Sequence, residues 1–140
     1  MEGINSELIY LRNWMIICAI VFFVSSLYFL FLQNRLLNQL NTLSRWLFKD
    51  RFPPIPLSTE KFWLVLTTSM MVMLVVICIF VAVNPEKYIM MVVIMLFSKF
   101  CSSALYLVLF LRDKHFAYLA GTLTDGPIFI ITLILWLIAI

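Results

Sequence analysis

The sequence predicts an all-α, four-span transmembrane helical bundle in which the first helix carries an amphipathic cytoplasmic extension. Three observations lead there. Of the 140 residues, 64% are hydrophobic and only 12% are charged, with a mean hydropathy of +1.07. A soluble domain is nearer half apolar and a quarter charged. Four apolar runs, 14–32, 62–83, 88–111 and 116–140, match the ~20 helical residues that cross ~30 Å of hydrocarbon. None alternates over about ten residues as the strands of a membrane β-barrel do. One membrane domain over 1–140 is expected, and no segment has the composition of a separate soluble domain.

The first element opens after a short tail, 1–13, kept polar by Glu2 and Glu7. Its helix is expected to start near Trp14 or a turn earlier. The run is too long for a signal-peptide core and no small-x-small site follows it, so it is expected to stay as a span. Ser25 and Ser26 lie mid-span, and small hydroxyl residues in a membrane helix mark close helix contacts. No proline or glycine separates Gly3 from Pro53, so the helix is expected to continue beyond the bilayer. There Leu36, Leu40, Leu43 and Leu47 recur among Asn34, Asn38, Gln39, Asn41, Thr42 and Arg45. This leucine stripe has two possible destinations. It can lie flat in the membrane interface, or stand upright as an association seam between chains.

Phe52-Pro53-Pro54-Ile55-Pro56 is expected to end that helix in an extended turn, because proline removes a donor and fixes φ. Ser58 or Thr59 is the expected N-cap of the second span, with Glu60 in its first turn. Asn84-Pro85-Glu86-Lys87 reads as a tight turn that makes the second and third spans neighbours. The third and fourth spans are joined by Arg112-Asp113-Lys114-His115.

Charge sets the expected orientation. The loop 33–61 holds Arg35, Arg45, Lys49, Arg51 and Lys61, and the turn 112–115 adds Arg112 and Lys114. The opposite side has Arg12 and Lys87. The positive-inside rule then places loops 33–61 and 112–115 in the cytoplasm and both termini outside, in a plasma or inner membrane. Trp14, Tyr88 and Trp136 fall near the outer interface, with Trp63 and Tyr118 near the inner one. The basic loop is a topology signal; no nucleic-acid-reading fold accompanies it.

Lys99 and Asp125 carry the functional argument. Each lies within an apolar run, and about the connecting turn the runs form an antiparallel hairpin. Lys99 lies about 14 residues before the middle of the turn and Asp125 about 12 after it, so at ~1.5 Å per residue their depths differ by ~4–5 Å. A lone charge at mid-bilayer costs at least ~2.5–3.5 kcal/mol, so the two are expected to pair. Ser102, Ser103 and Tyr106 follow Lys99 on one helix face, and Tyr118, Gly121, Thr122, Asp125 and Thr132 share a face of the last span. Gly126-Pro127 predicts a kink or break in the helix, and at a break Asp125 is placed to cap the half-helix that follows.

Catalysis is poorly served. His115 stands alone, no nucleophile–base–acid set is visible, and no glycine loop could cradle phosphate. Cys18, Cys78 and Cys101 form no CxxC or Cys/His cluster, so no metal site and no cofactor is expected. Cys18 and Cys78 fall at similar depth and read as packing residues, with a disulfide as the alternative. The expected role is a small non-enzymatic membrane subunit that assembles with itself or with other membrane subunits. The alternative is a small oligomeric ion channel or proton/solute transporter using Lys99 and Asp125.

Overall fold

The computed structural model describes residues 6–140, so Glu2 of the expected tail lies outside the described residues. The described chain is all-helical: α1 Ser6–Phe48, α2 Lys61–Val83, α3 Pro85–Tyr88, α4 Met91–Asp113 and α5 Phe116–Ala139. Helices α1, α2, α4 and α5 are each long and apolar enough to cross a membrane. They pack as a bundle in which α1 is the centre. It lies along both α2 and α5, and α5 in turn packs along α4.

The first helix begins two turns before Trp14, and this corrects the expected start. The reason is packing: Leu11, Met15, Cys18 and Phe22 recur on one face of α1 and are all buried. They meet Leu74, Ile77, Cys78 and Val81 of α2 and Val92, Met95 and Leu96 of α4 in one core. Extending the helix back to Ser6 brings Leu11 into that stripe. Ser26 continues it, fully buried, with its hydroxyl donating to the Phe23 carbonyl at 2.7 Å. Cys18 and Cys78 are free thiols packed in the core, with no disulfide between them.

The expectation that the second and third spans are close neighbours holds only near their shared turn. Helix α2 packs chiefly on α1. It meets α4 where Cys78 Sγ lies 3.7 Å from Met95 Sδ, and Phe80 lies against Tyr88 just after the turn. The turn itself is capped by Asn84, whose Oδ1 accepts from the Lys87 backbone N–H at 3.1 Å, with Pro85 at the first position of α3. Proline suits that position because its missing N–H would have had no helical partner.

Helix α1 changes direction at Leu32, whose φ of −130° and ψ of 24° leave the helical region. The effect on the rest of α1 follows from helix rise. Trp14 Nε1 donates to Thr132 Oγ1 at 2.8 Å, which fixes a common level for α1 and α5. From there Leu32 lies ~27 Å along α1, and Phe116 lies ~24 Å along α5 in the same direction. A straight α1 would carry Phe48 a further ~24 Å past that level. Instead the Phe48 and Phe116 ring centroids are 5.5 Å apart. Residues 33–48 therefore run across the end of the bundle rather than away from it.

The chain then doubles back. Lys49 and Asp50 adopt left-handed φ of 47° and 61° and end the helix before the prolines are reached. Left-handed backbone disfavours residues with a Cβ by about 1–2 kcal/mol each, and the returning strand of loop offsets that strain. Asn41 grips Ile55 twice, Nδ2 donating to its carbonyl at 3.0 Å and Oδ1 accepting from its N–H at 2.9 Å. Asn34 Oδ1 accepts from the Ser58 N–H at 3.1 Å. A second correction concerns the cap of α2: Glu60, and not Ser58 or Thr59, holds the N-cap position, without a side-chain bond. On the far side, Pro53 O lies 2.9 Å from His115 Nδ1 and Phe52 packs against Phe110, so the loop is fastened to the α4–α5 turn.

Candidate functional site

Helices α4 and α5 form an antiparallel hairpin closed by Lys114, whose left-handed φ of 58° ends α4. In that geometry Lys99 Nζ lies 2.8 Å from Asp125 Oδ1. The side chains retain only 10% and 14% exposure. Both carboxylate oxygens are engaged, since the Ser102 hydroxyl donates to Asp125 Oδ2. Ser102 sits one turn beyond Lys99, so one face of α4 supplies both the counter-charge and the second donor.

The ammonium has a further neighbour that sequence reasoning missed. Phe22 of α1 places its ring 4.5 Å from Lys99 Nζ, a cation–π contact that closes the third side of the site. The signal was the stripe of Leu11, Met15, Cys18 and Phe22. Its spacing identifies a packed face, but nothing in it says that the face meets a charge.

Of the remaining predicted residues, Ser103, Tyr106, Tyr118, Gly121 and Thr122 occupy the half of the hairpin nearer its turn, whereas Thr132 lies in the other half, bonded to Trp14 of α1. Thr122 Oγ1 donates to the Tyr118 carbonyl at 3.2 Å and lies 3.5 Å from the Ser103 carbonyl, beside α4. Tyr106 stacks on Tyr118, with centroids 6.5 Å apart. Its ring covers Gly121 so closely that a Cβ there would stand 2.7 Å from Tyr106 Cδ2. Gly121 therefore leaves the space that the Tyr106 ring of α4 occupies against α5. Gly126 is less constrained, since a Cβ there would reach Ser103 Oγ at 3.4 Å.

Gly126 and Pro127 do not break the helix. Helix α5 runs from Phe116 to Ala139 with Pro127 inside it. Asp125 caps no half-helix, because its carboxylate is committed to Lys99 and Ser102. Membrane helices tolerate such a proline where neighbouring helices hold the backbone, and here α4 lies along this part of α5.

The leucine stripe is only partly drawn into the protein. Leu36 and Leu40 are half-buried, whereas Leu43 and Leu47 are exposed. The face turned inward is instead marked by Leu37, Asn41, Ser44 and Phe48, of which Ser44 is buried. The stripe lies about a quarter-turn around the helix from that face.

Chemically the site is a neutralised ion pair between three helices: two opposite charges, one hydroxyl and one aromatic face. Among the described residues, no thiol or imidazole makes a hydrogen bond to the pair. Comparison of the chain with protein-family models, with curated proteins and with solved structures finds no match.

Proposed function

We propose that this chain is a small non-enzymatic membrane subunit that assembles with itself or with other membrane subunits, and that the Lys99–Asp125 pair locks its helices in register. The observation that carries this reading is the closure of the pair. Each charge meets its opposite within the same chain, both carboxylate oxygens are engaged, and little of either side chain is exposed. A group held this way fixes depth and rotation of α4 against α5 and gives a solute little to bind. Buried polar pairs are best attested in such register-setting roles. The outer surfaces of the helices are meanwhile apolar and suited to lipid or to a neighbouring subunit; on α5, Leu123, Ile130, Ile134, Leu137 and Ile138 all face outward.

In this reading the basic end of the bundle, with Arg35, Arg45, Lys49, Arg51 and Arg112, faces the cytoplasm, and α1 begins outside. The membrane is a plasma or inner membrane. The test is the mass of the protein purified in mild detergent, with every co-purifying chain identified and its stoichiometry measured. A fixed stoichiometric assembly, of copies of this chain or with a defined partner, is the expected result. A monodisperse single chain with no partner contradicts it.

A second reading has one observation in its favour. Lys99 carries three N–H donors, and its contacts are one carboxylate oxygen and one aromatic ring. The donors left over are available to water or a solute, as an ion channel or proton/solute transporter would need. That reading requires flux, which the assembly reading does not.

A further inference from the structure

Residues 33–48 form an amphipathic segment whose position is now fixed at both ends. At Leu32 the helix leaves the bundle axis. At Phe48 it meets Phe116, the first residue of α5. Both points lie at nearly the same distance from the Trp14–Thr132 level, ~27 Å and ~24 Å. The segment therefore lies at the depth where the apolar spans end, closer to the membrane plane than to the bundle axis.

Its surface divides sharply. At 100° per residue, Leu36, Leu40, Leu43 and Leu47 occupy an arc of about 60°. Asn38, Thr42 and Arg45 lie on the opposite side, with Arg35 between. Leu43 and Leu47 remain 42% and 49% exposed after the bundle and the returning loop have packed. The loop is held on the other flank, through Asn41 and Asn34, and leaves the Leu43 and Leu47 end of the arc open. Arg35, Arg45, Lys49 and Arg51 are all exposed, and Asp50 is the only acidic residue among 33–58.

We infer that residues 33–48 are an interfacial helix that docks on an anionic lipid surface, its leucine arc entering the acyl boundary and Arg35 on its flank meeting lipid phosphates. The occupant follows from depth and charge together. An apolar arc at the level where the spans end faces the acyl boundary, and a basic flank beside it complements anionic headgroups. An upright seam between chains would need the segment to project along the bundle axis, and the Phe48–Phe116 contact prevents that. The inference goes beyond the assembly role and stands whether or not that role is correct.

The test places a bimane fluorophore at Leu43→Cys or Thr42→Cys in a chain whose native cysteines are alanine. Each labelled chain is reconstituted in phosphatidylcholine vesicles with or without phosphatidylglycerol. In the anionic vesicles the fluorophore at 43 should be quenched by a spin label at the top of the acyl chain and protected from aqueous iodide. The fluorophore at 42 should show the reverse. Neutralising Arg35 to glutamine should lower the docked-to-undocked ratio in anionic vesicles by roughly fivefold, and Arg45→Gln, on the opposite side, should change it less. Equal iodide quenching at both positions overturns the proposal, and so does protection at 43 that follows protein density rather than lipid, which would indicate a second copy. Hydrogen exchange of 36–47 in the unaltered chain gives an independent reading. It should slow in anionic nanodiscs relative to neutral ones, and equal rates contradict the docking.

Discussion

Replacing Asp125 by asparagine probes the ion pair at a single atom. The substitution keeps an acceptor near Lys99 Nζ but removes the counter-charge. Lys99 is then a cation with about a tenth of its side chain exposed, so solvent screens it little. Removing one member of a buried pair costs about 3–5 kcal/mol in soluble proteins. The amide oxygen restores a bond to the ammonium, and the Phe22 ring supplies a further ~0.5–2 kcal/mol that the substitution does not touch. Asp125→Asn should therefore destabilise by about 2–3 kcal/mol, below the full figure. Asp125→Leu, which restores nothing, should reach about 3–5 kcal/mol. Ser102 limits the damage in both, since its hydroxyl also lies 3.3 Å from the Lys99 carbonyl. The double replacement Lys99→Met with Asp125→Leu removes both charges at similar volume and should return to within about 1.5 kcal/mol of the native chain. The assay is reversible unfolding in mixed micelles, run as a double-mutant cycle. Single-replacement losses that simply add in the double would refute the lock.

Three other outcomes follow from the packing. Gly121→Ala forces a Cβ into the Tyr106 ring and should cost about 1–3 kcal/mol, whereas Gly126→Ala should be neutral or slightly stabilising in the same unfolding assay. Asn41→Ala removes both bonds to Ile55 and should expose the 49–60 loop to protease while helix content is unchanged; equal digestion rates would mean the loop is held elsewhere. For orientation, a cysteine at Asn84 should react with an impermeant thiol reagent from outside intact cells and one at Asp50 should not; the opposite labelling pattern inverts the assignment.

The four spans and the Lys99–Asp125 juxtaposition were legible because each rests on a one-dimensional quantity. Span length follows from rise per residue, and the pairing follows from counting residues to either side of the Arg112–His115 turn. What sequence could not supply was lateral position. The Asn84 turn makes α2 and α4 adjacent in the chain, yet α2 settles on α1, because the face of Leu11, Met15, Cys18 and Phe22 offers a longer apolar contact. Phe22 entered the site for the same reason. The direction of 33–48 was left open between flat and upright because amphipathicity is the same in both. The bend at Leu32 falls at a residue with no unusual helix propensity, and the bonds around it are non-local: the Tyr28 hydroxyl donates to Gln39 across it, and Asn34 and Asn41 hold the returning loop beyond it. Of the kink or break expected at Pro127, the break did not form: α5 runs through the proline, because membrane helices tolerate the lost donor better than residue type alone suggests.

Vesicle flux tests the central claim most directly, because a dry lock and a permeation path differ in whether anything moves. The purified chain and its Lys99→Met/Asp125→Leu form would be reconstituted at equal density, and proton and monovalent-cation flux followed across a range of pH. The lock predicts flux equal to that of protein-free vesicles for both chains at every pH. Flux that is present in the native chain, varies with pH and vanishes in the stably folded double replacement would contradict it and establish the pair as part of a conduction path.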